Sequence, residues 1–177
     1  MRIAKCTAGL LAVVGFAGTA QQAEAANLFQ RTFVQSAGGP NCYLRAYDNQ
    51  FLKKHPKLTV RQMAIGLSPS GPSGGVANKA NNFALQLAVQ VKKNSTNYSA
   101  LAFCKTKGSG FSCQIESDGG SFRITTVGRD VRITSQGISI EGDGFGNNDL
   151  SLTAPAGQTR SFLLKRANTT KCNEAYD

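Results

Sequence analysis

From Cys104 to Cys113 the chain reads CKTKGSGFSC, and the reading of this stretch decides the fold. Gly108-Ser109 stands at its centre as a two-residue turn of the Gly-x type II′ class, whose twist matches that of a hairpin. Counting outward, Lys107 faces Gly110, Thr106 faces Phe111, Lys105 faces Ser112 and Cys104 faces Cys113. The two cysteines then occupy a non-hydrogen-bonded pair, where Cα atoms about 4.5–5.5 Å apart allow a cross-strand disulfide. The stretch is a stapled antiparallel hairpin.

The flanking sequence continues in the same register. Tyr98 to Lys105 carries apolar groups on both faces, as a central strand does, and Phe111 to Glu116 alternates. Upstream, Phe83 to Lys92 (FALQLAVQVK) places Phe83, Leu85, Leu87, Val89 and Val91 on one side, with Gln86, Gln90 and Lys92 on the other. Leu58 to Leu67 is another strand, with Met63, Ile65 and Leu67 together. Asp48 caps a short helical turn through Phe51 and Leu52 that ends before Pro56, and Ser68 to Gly75 is a loop.

Downstream, Phe122 to Glu141 reads as a three-strand meander. A turn at Gly128-Arg129 sets Ile124 against Ile133 and Thr125 against Arg132. A second turn at Gln136-Gly137 sets Ile133 against Ile140 and Arg132 against Glu141. The inner row becomes Ile124, Ile133 and Ile140, and a slip by one residue would drive Arg132 into the core. Leu150 to Ala154 and Arg160 to Arg166 supply two more strands. Eight to ten strands on short turns predict an all-β, single-domain antiparallel meander. An up-and-down β-barrel, whose closure removes sheet edges, is the first expectation; a two-sheet β-sandwich is the alternative, and a trefoil stays open.

The amino terminus predicts export. Arg2 and Lys5 precede the apolar or small run Thr7 to Ala20, and Ala23-Glu24-Ala25 offers an A-x-A site before Ala26. Residues 1–25 read as a cleavable signal peptide and 26–177 as one disulfide-stapled β domain of the periplasm or cell exterior. No later apolar run approaches the length of a membrane helix. Cys6 leaves with the signal, so Cys42, Cys104, Cys113 and Cys172 remain, and the Cys104–Cys113 pairing leaves Cys42–Cys172 to tie the domain's ends. Two bridges leave no thiol for cysteine catalysis, and no C-x-x-C marks a redox dithiol.

The formal net charge is +10, unevenly spread. From Ala26 to Lys107 eleven Lys and Arg stand against one acid, Asp48; from Gly108 onward seven stand against eight. Arg45, Lys53, Lys54, His55, Lys57 and Arg61 are the densest part, with Tyr43, Tyr47 and Phe51 interspersed. This composition predicts a basic face for an anionic envelope component: a lipid head group, lipopolysaccharide or an acidic glycan. Export and the lack of a stacking motif argue against nucleic acid, and positive charge argues against inhibition of a basic lysozyme.

Catalytic readings are thinner. His55 is the only histidine, which excludes histidine-clustered metal sites, and as a general base it lacks a G-x-S-x-G or comparable serine context. A hydrolase built on a carboxylate pair would draw on Glu116 with Asp118 or Glu141 with Asp143, although Asp118-Gly119-Gly120 and Asp143-Gly144 read as turns. Asp143, Asn147 and Asp149 offer hard oxygens for calcium at a spacing that fits neither the EF-hand nor the nonapeptide repeat. Asn94-Ser95-Thr96, Asn97-Tyr98-Ser99 and Asn168-Thr169-Thr170 match the glycosylation sequon. No cofactor is called for. A barrel holding an apolar ligand in its lumen is a further reading.

The stretch Cys42-Tyr43-Leu44-Arg45-Ala46-Tyr47-Asp48, then His55-Pro56-Lys57, then Cys113-Gln114-Ile115-Glu116-Ser117-Asp118-Gly119-Gly120 resembles a group of small exported bacterial proteins without known activity. The resemblance spans most of the mature chain and implies the bacterial periplasm. It makes Arg45, Asp48 and His55 candidates for a binding surface, with an Arg45–Asp48 salt bridge as the structural alternative.

Overall fold

The stapled hairpin is formed in the register its turn dictates: Cys104 pairs with Cys113 and Lys107 with Gly110. Gly108 takes a φ of 59° and Ser109 does not turn positive, as the type II′ geometry requires. The computed structural model describes residues 18–34, 40–73, 75–92, 97–140 and 149–176. Its strands are β1 (Cys42–Ala46), β2 (Val60–Leu67), β3 (Phe83–Val91), β4 (Asn97–Lys107), β5 (Gly110–Ile115), β6 (Gly120–Val127), β7 (Asp130–Ile140), β8 (Leu150–Ser151) and β9 (Arg160–Ala167). Each of β1 to β7 pairs antiparallel with the next, β9 joins β7, and β9 returns to β1. The result is a closed eight-stranded up-and-down barrel, with β8 appended beside the far end of β7.

Alternation sets the inside. Phe83, Leu85, Leu87 and Val89 of β3 are fully buried, as are Met63 and Ile65 of β2 and Phe111, Cys113 and Ile115 of β5. On β4 the outer row is wetter than its composition implies: Phe103 is 37% exposed, because only part of the wall is covered from outside.

The expected turn at Gln136-Gly137 is not formed. β7 runs straight through, and its inward set shifts from Val131, Ile133 and Ser135 to Ile138 and Ile140. Three steps on β7, from Thr134 to Gly137, oppose two on β6, from Arg123 to Ser121, so the glycine marks a β-bulge. Ser135 Oγ accepts from Gly137 N at 3.0 Å and donates to Ser121 O at 2.6 Å, which satisfies the bulged backbone. Ile133 therefore faces Phe162, and Arg132 faces Leu163 instead of Glu141, which lies outside the described residues. The turn at Gly128-Arg129 is formed as expected, with Gly128 at φ 62°.

Three helices meet the barrel. α1 (Gly18–Phe29) crosses the expected processing point and continues into a π-helical turn, Gln30–Val34. Gln21 to Asn27 are exposed or half-buried, and burial begins at Leu28. Phe33 is fully buried against Tyr43, Phe83 and Phe111, ring centroids 5.2–6.0 Å apart, and so plugs the mouth where β1, β3 and β5 begin. α2 (Asn49–Lys54) links β1 to β2 at the opposite mouth. α3 (Thr169–Tyr176) lies on the outer wall, with Ala175 against Ala64 and Ala88, and the Cys42–Cys172 disulfide anchors it. Among the described residues no helix is long and apolar enough to cross a membrane.

Candidate functional site

The basic segment is shaped by α2. Asp48 Oδ1 accepts the Phe51 amide at 2.7 Å, capping the helix, and Leu52 turns inward as its only buried residue. Tyr47 N donates to Arg61 O at 2.9 Å, which holds the entry of the loop to the start of β2. Lys92 Nζ donates to Leu52 O at 3.0 Å, and Pro56 stops the helix.

This geometry stacks side chains four residues apart. The Tyr47 and Phe51 rings lie 5.1 Å apart and those of Phe51 and His55 4.0 Å, each pair tilted by 20°. The Arg45 guanidinium sits 4.6 Å over the Tyr47 ring, so a cation and three rings form one ladder. His55 Nδ1 lies 2.9 Å from Phe51 O; a carbonyl only accepts, so Nδ1 carries the proton. Lys53, Lys54, His55, Lys57 and Arg61 are all exposed, and a surface hollow of about 450 Å³ opens between Lys54, His55, Pro56, Lys57 and Leu58.

The structure thus gathers the six sequence-predicted basic residues on one loop-helix-strand unit, with two corrections around them. Tyr43 is a core residue, 2% exposed, and its hydroxyl donates to Thr32 O; it offers the face no apolar contact. Arg45 and Asp48 form no ion pair: Arg45 is half-buried on Tyr47 with Nε unpartnered, while Asp48 serves as the cap. Lys92 joins this unit through Leu52 O, and four other first-half cations stand apart from it. Arg31, Lys79, Lys105 and Lys107 belong to the opposite mouth, at the plug, the β2–β3 loop and the end of β4.

His55 is committed to Phe51 through both its ring face and Nδ1. Glu116, Asp118 and Asp149 border a cavity of about 470 Å³, though Glu116 Oε1 already accepts Leu101 N at 3.1 Å. Glu141, Asp143 and Asn147 lie outside the described residues, as do residues 1–17 and Asn94. Among the described residues no group of three or more His, Cys, Asp or Glu is placed to hold a metal ion. Asn168 Oδ1 accepts Lys171 N in the first turn of α3, and Asn97 Oδ1 accepts Gln90 Nε2. The inner row is filled by Phe33, Phe83, Phe111, Met63, Leu85 and Ile133, so an apolar ligand in the lumen draws no support from it.

Comparison of the chain with protein-family models, with curated proteins and with solved structures finds no match.

Proposed function

We propose that this chain is an exported, non-enzymatic binding protein of the periplasm or cell exterior, and that its α2 face meets an anionic envelope component. One observation carries the reading: Lys53, Lys54, Lys57 and Arg61 surround a ladder of Arg45, Tyr47, Phe51 and His55 whose rings are fixed by each other. Cations give long-range attraction, and pre-stacked rings add contact area without a further loss of side-chain freedom on binding. Lipid head groups, lipopolysaccharide and acidic glycans all share the required charge. Burial that starts only at Leu28 supports processing after Ala25, since the exposed part of α1 can be removed without disturbing the plug.

Charge reversal tests the reading. Lys53→Glu, Lys54→Glu and Lys57→Glu together should abolish retention on anionic vesicles or acidic polysaccharide at low salt, and the native protein should elute as salt rises. Retention unchanged in the triple variant rejects the face.

A further inference from the structure

At the mouth opposite α2, where the plug enters, a cleft of about 390 Å³ lies between Arg31, Arg129 and Arg166. The three guanidinium groups come from three separate elements: the π-helical turn, the β6–β7 turn and β9. Asp130 is the carboxylate lining this cleft, and it is already engaged. Its Oδ2 accepts Lys165 Nζ at 2.8 Å and its Oδ1 accepts Arg166 N at 3.1 Å. Lys165 thus balances Asp130, and the exposed Arg31 and Arg129 add positive charge at the rim of the cleft.

The wall behind them is built from buried polar groups. Asn41, 2% exposed, accepts from the Arg166 guanidinium and donates through Nδ2 to Arg31 O at 3.2 Å and Thr32 O at 2.8 Å. Tyr43 adds its hydroxyl bond to Thr32 O at 2.6 Å. One buried amide therefore ties the plug to β9 and holds the Arg31 backbone beside the Arg166 guanidinium. Gly128, with φ 62°, forms the turn that presents the third.

We propose that this cleft binds a small phosphomonoester, free or as the head group of a lipid. Guanidinium forks match the paired oxygens of a phosphoryl group, and several around one cleft suit a dianion better than a monoanion. The volume exceeds a bare phosphate and falls in the range of small-molecule sites. The proposal does not depend on the α2 face, which lies at the other mouth.

Calorimetry on purified protein with both disulfides intact, titrated with glycerol 3-phosphate, should show binding. Arg31→Gln and Arg129→Gln, both at exposed positions and expected to melt like the parent, should each weaken it about tenfold or more, the scale of one charge-assisted hydrogen bond. Lys53→Glu, Lys54→Glu and Lys57→Glu together should leave it unchanged. With the α2 face removed by Lys53→Glu, Lys54→Glu and Lys57→Glu, binding only to phosphatidylcholine vesicles that contain phosphatidic acid, lost on adding Arg129→Gln, assigns the lipid-borne form; binding of the soluble ester assigns the free form. No binding to either probe overturns the proposal. So does binding indifferent to both arginine variants, or malonate binding as tightly as glycerol 3-phosphate.

Discussion

Phe33 is the side chain on which the barrel interior depends most. It has no exposed surface and touches rings of β1, β3 and β5 at once. Phe33→Ala should cost about 3–5 kcal/mol, read as a lower denaturant midpoint, because the closed wall cannot collapse into the space left. Asp130 gives a second prediction, in pH. The hydrogen bond from Lys165, then that from the Arg166 amide, holds its carboxyl below the usual carboxylate range. A depressed folded-state pKa contributes stability above the unfolded value, near 4, and that contribution is lost as pH falls through the folded value. Thermal melts between pH 5 and pH 2 should therefore fall more steeply for the parent than for Asp130→Asn. The role of Phe33 was hard to read because QRTFV follows no regular period. The available signal was the four-residue spacing of Phe29 and Phe33, the same spacing that stacks Tyr47, Phe51 and His55.

At the level of elements, the turns that needed a left-handed residue were legible, and the interruption inside β7 was misread. Gly108 and Gly128 announce hairpins because each must adopt a positive φ. Gly137 sits in the same kind of polar dipeptide, yet it absorbs an extra residue opposite β6, and only the partner strand distinguishes a bulge from a turn. α3 escaped notice because its inner contacts are alanines, Ala64, Ala88 and Ala175, which carry little periodic signal. Its attachment was legible all the same, from the cysteine count. Removing that bridge should be the costlier of the two deletions. Cys42 and Cys172 lie 130 residues apart and Cys104 and Cys113 nine, so chain entropy gives about 5 kcal/mol against about 3. Denaturant midpoints of the Cys42→Ala, Cys172→Ala pair and the Cys104→Ala, Cys113→Ala pair check the order.

Over the whole molecule, two groups of cations stand at opposite mouths of the barrel. The α2 unit stands at the mouth where β1 ends, and the arginine cleft at the mouth where β1 begins. Composition could show the excess of charge in the first half but not this partition, because adjacent strands run in opposite directions and send neighbouring cations to opposite mouths. The cleft was invisible for a related reason: Arg31, Arg129 and Arg166 are brought together only by closure. Substitutions at the two mouths share no contacts, so losses on anionic vesicles and on glycerol 3-phosphate should add independently when the triple Glu variant is combined with Arg129→Gln.

The Cys42–Cys172 bridge, set where β9 closes onto β1, also makes the backbone between those cysteines a covalent ring. A protease that nicks the exposed Pro69-Ser70 loop would open that ring without releasing a fragment. The cut protein would keep its mass until a reductant split it in two, so integrity on a non-reducing gel says nothing about whether the loop has been cleaved.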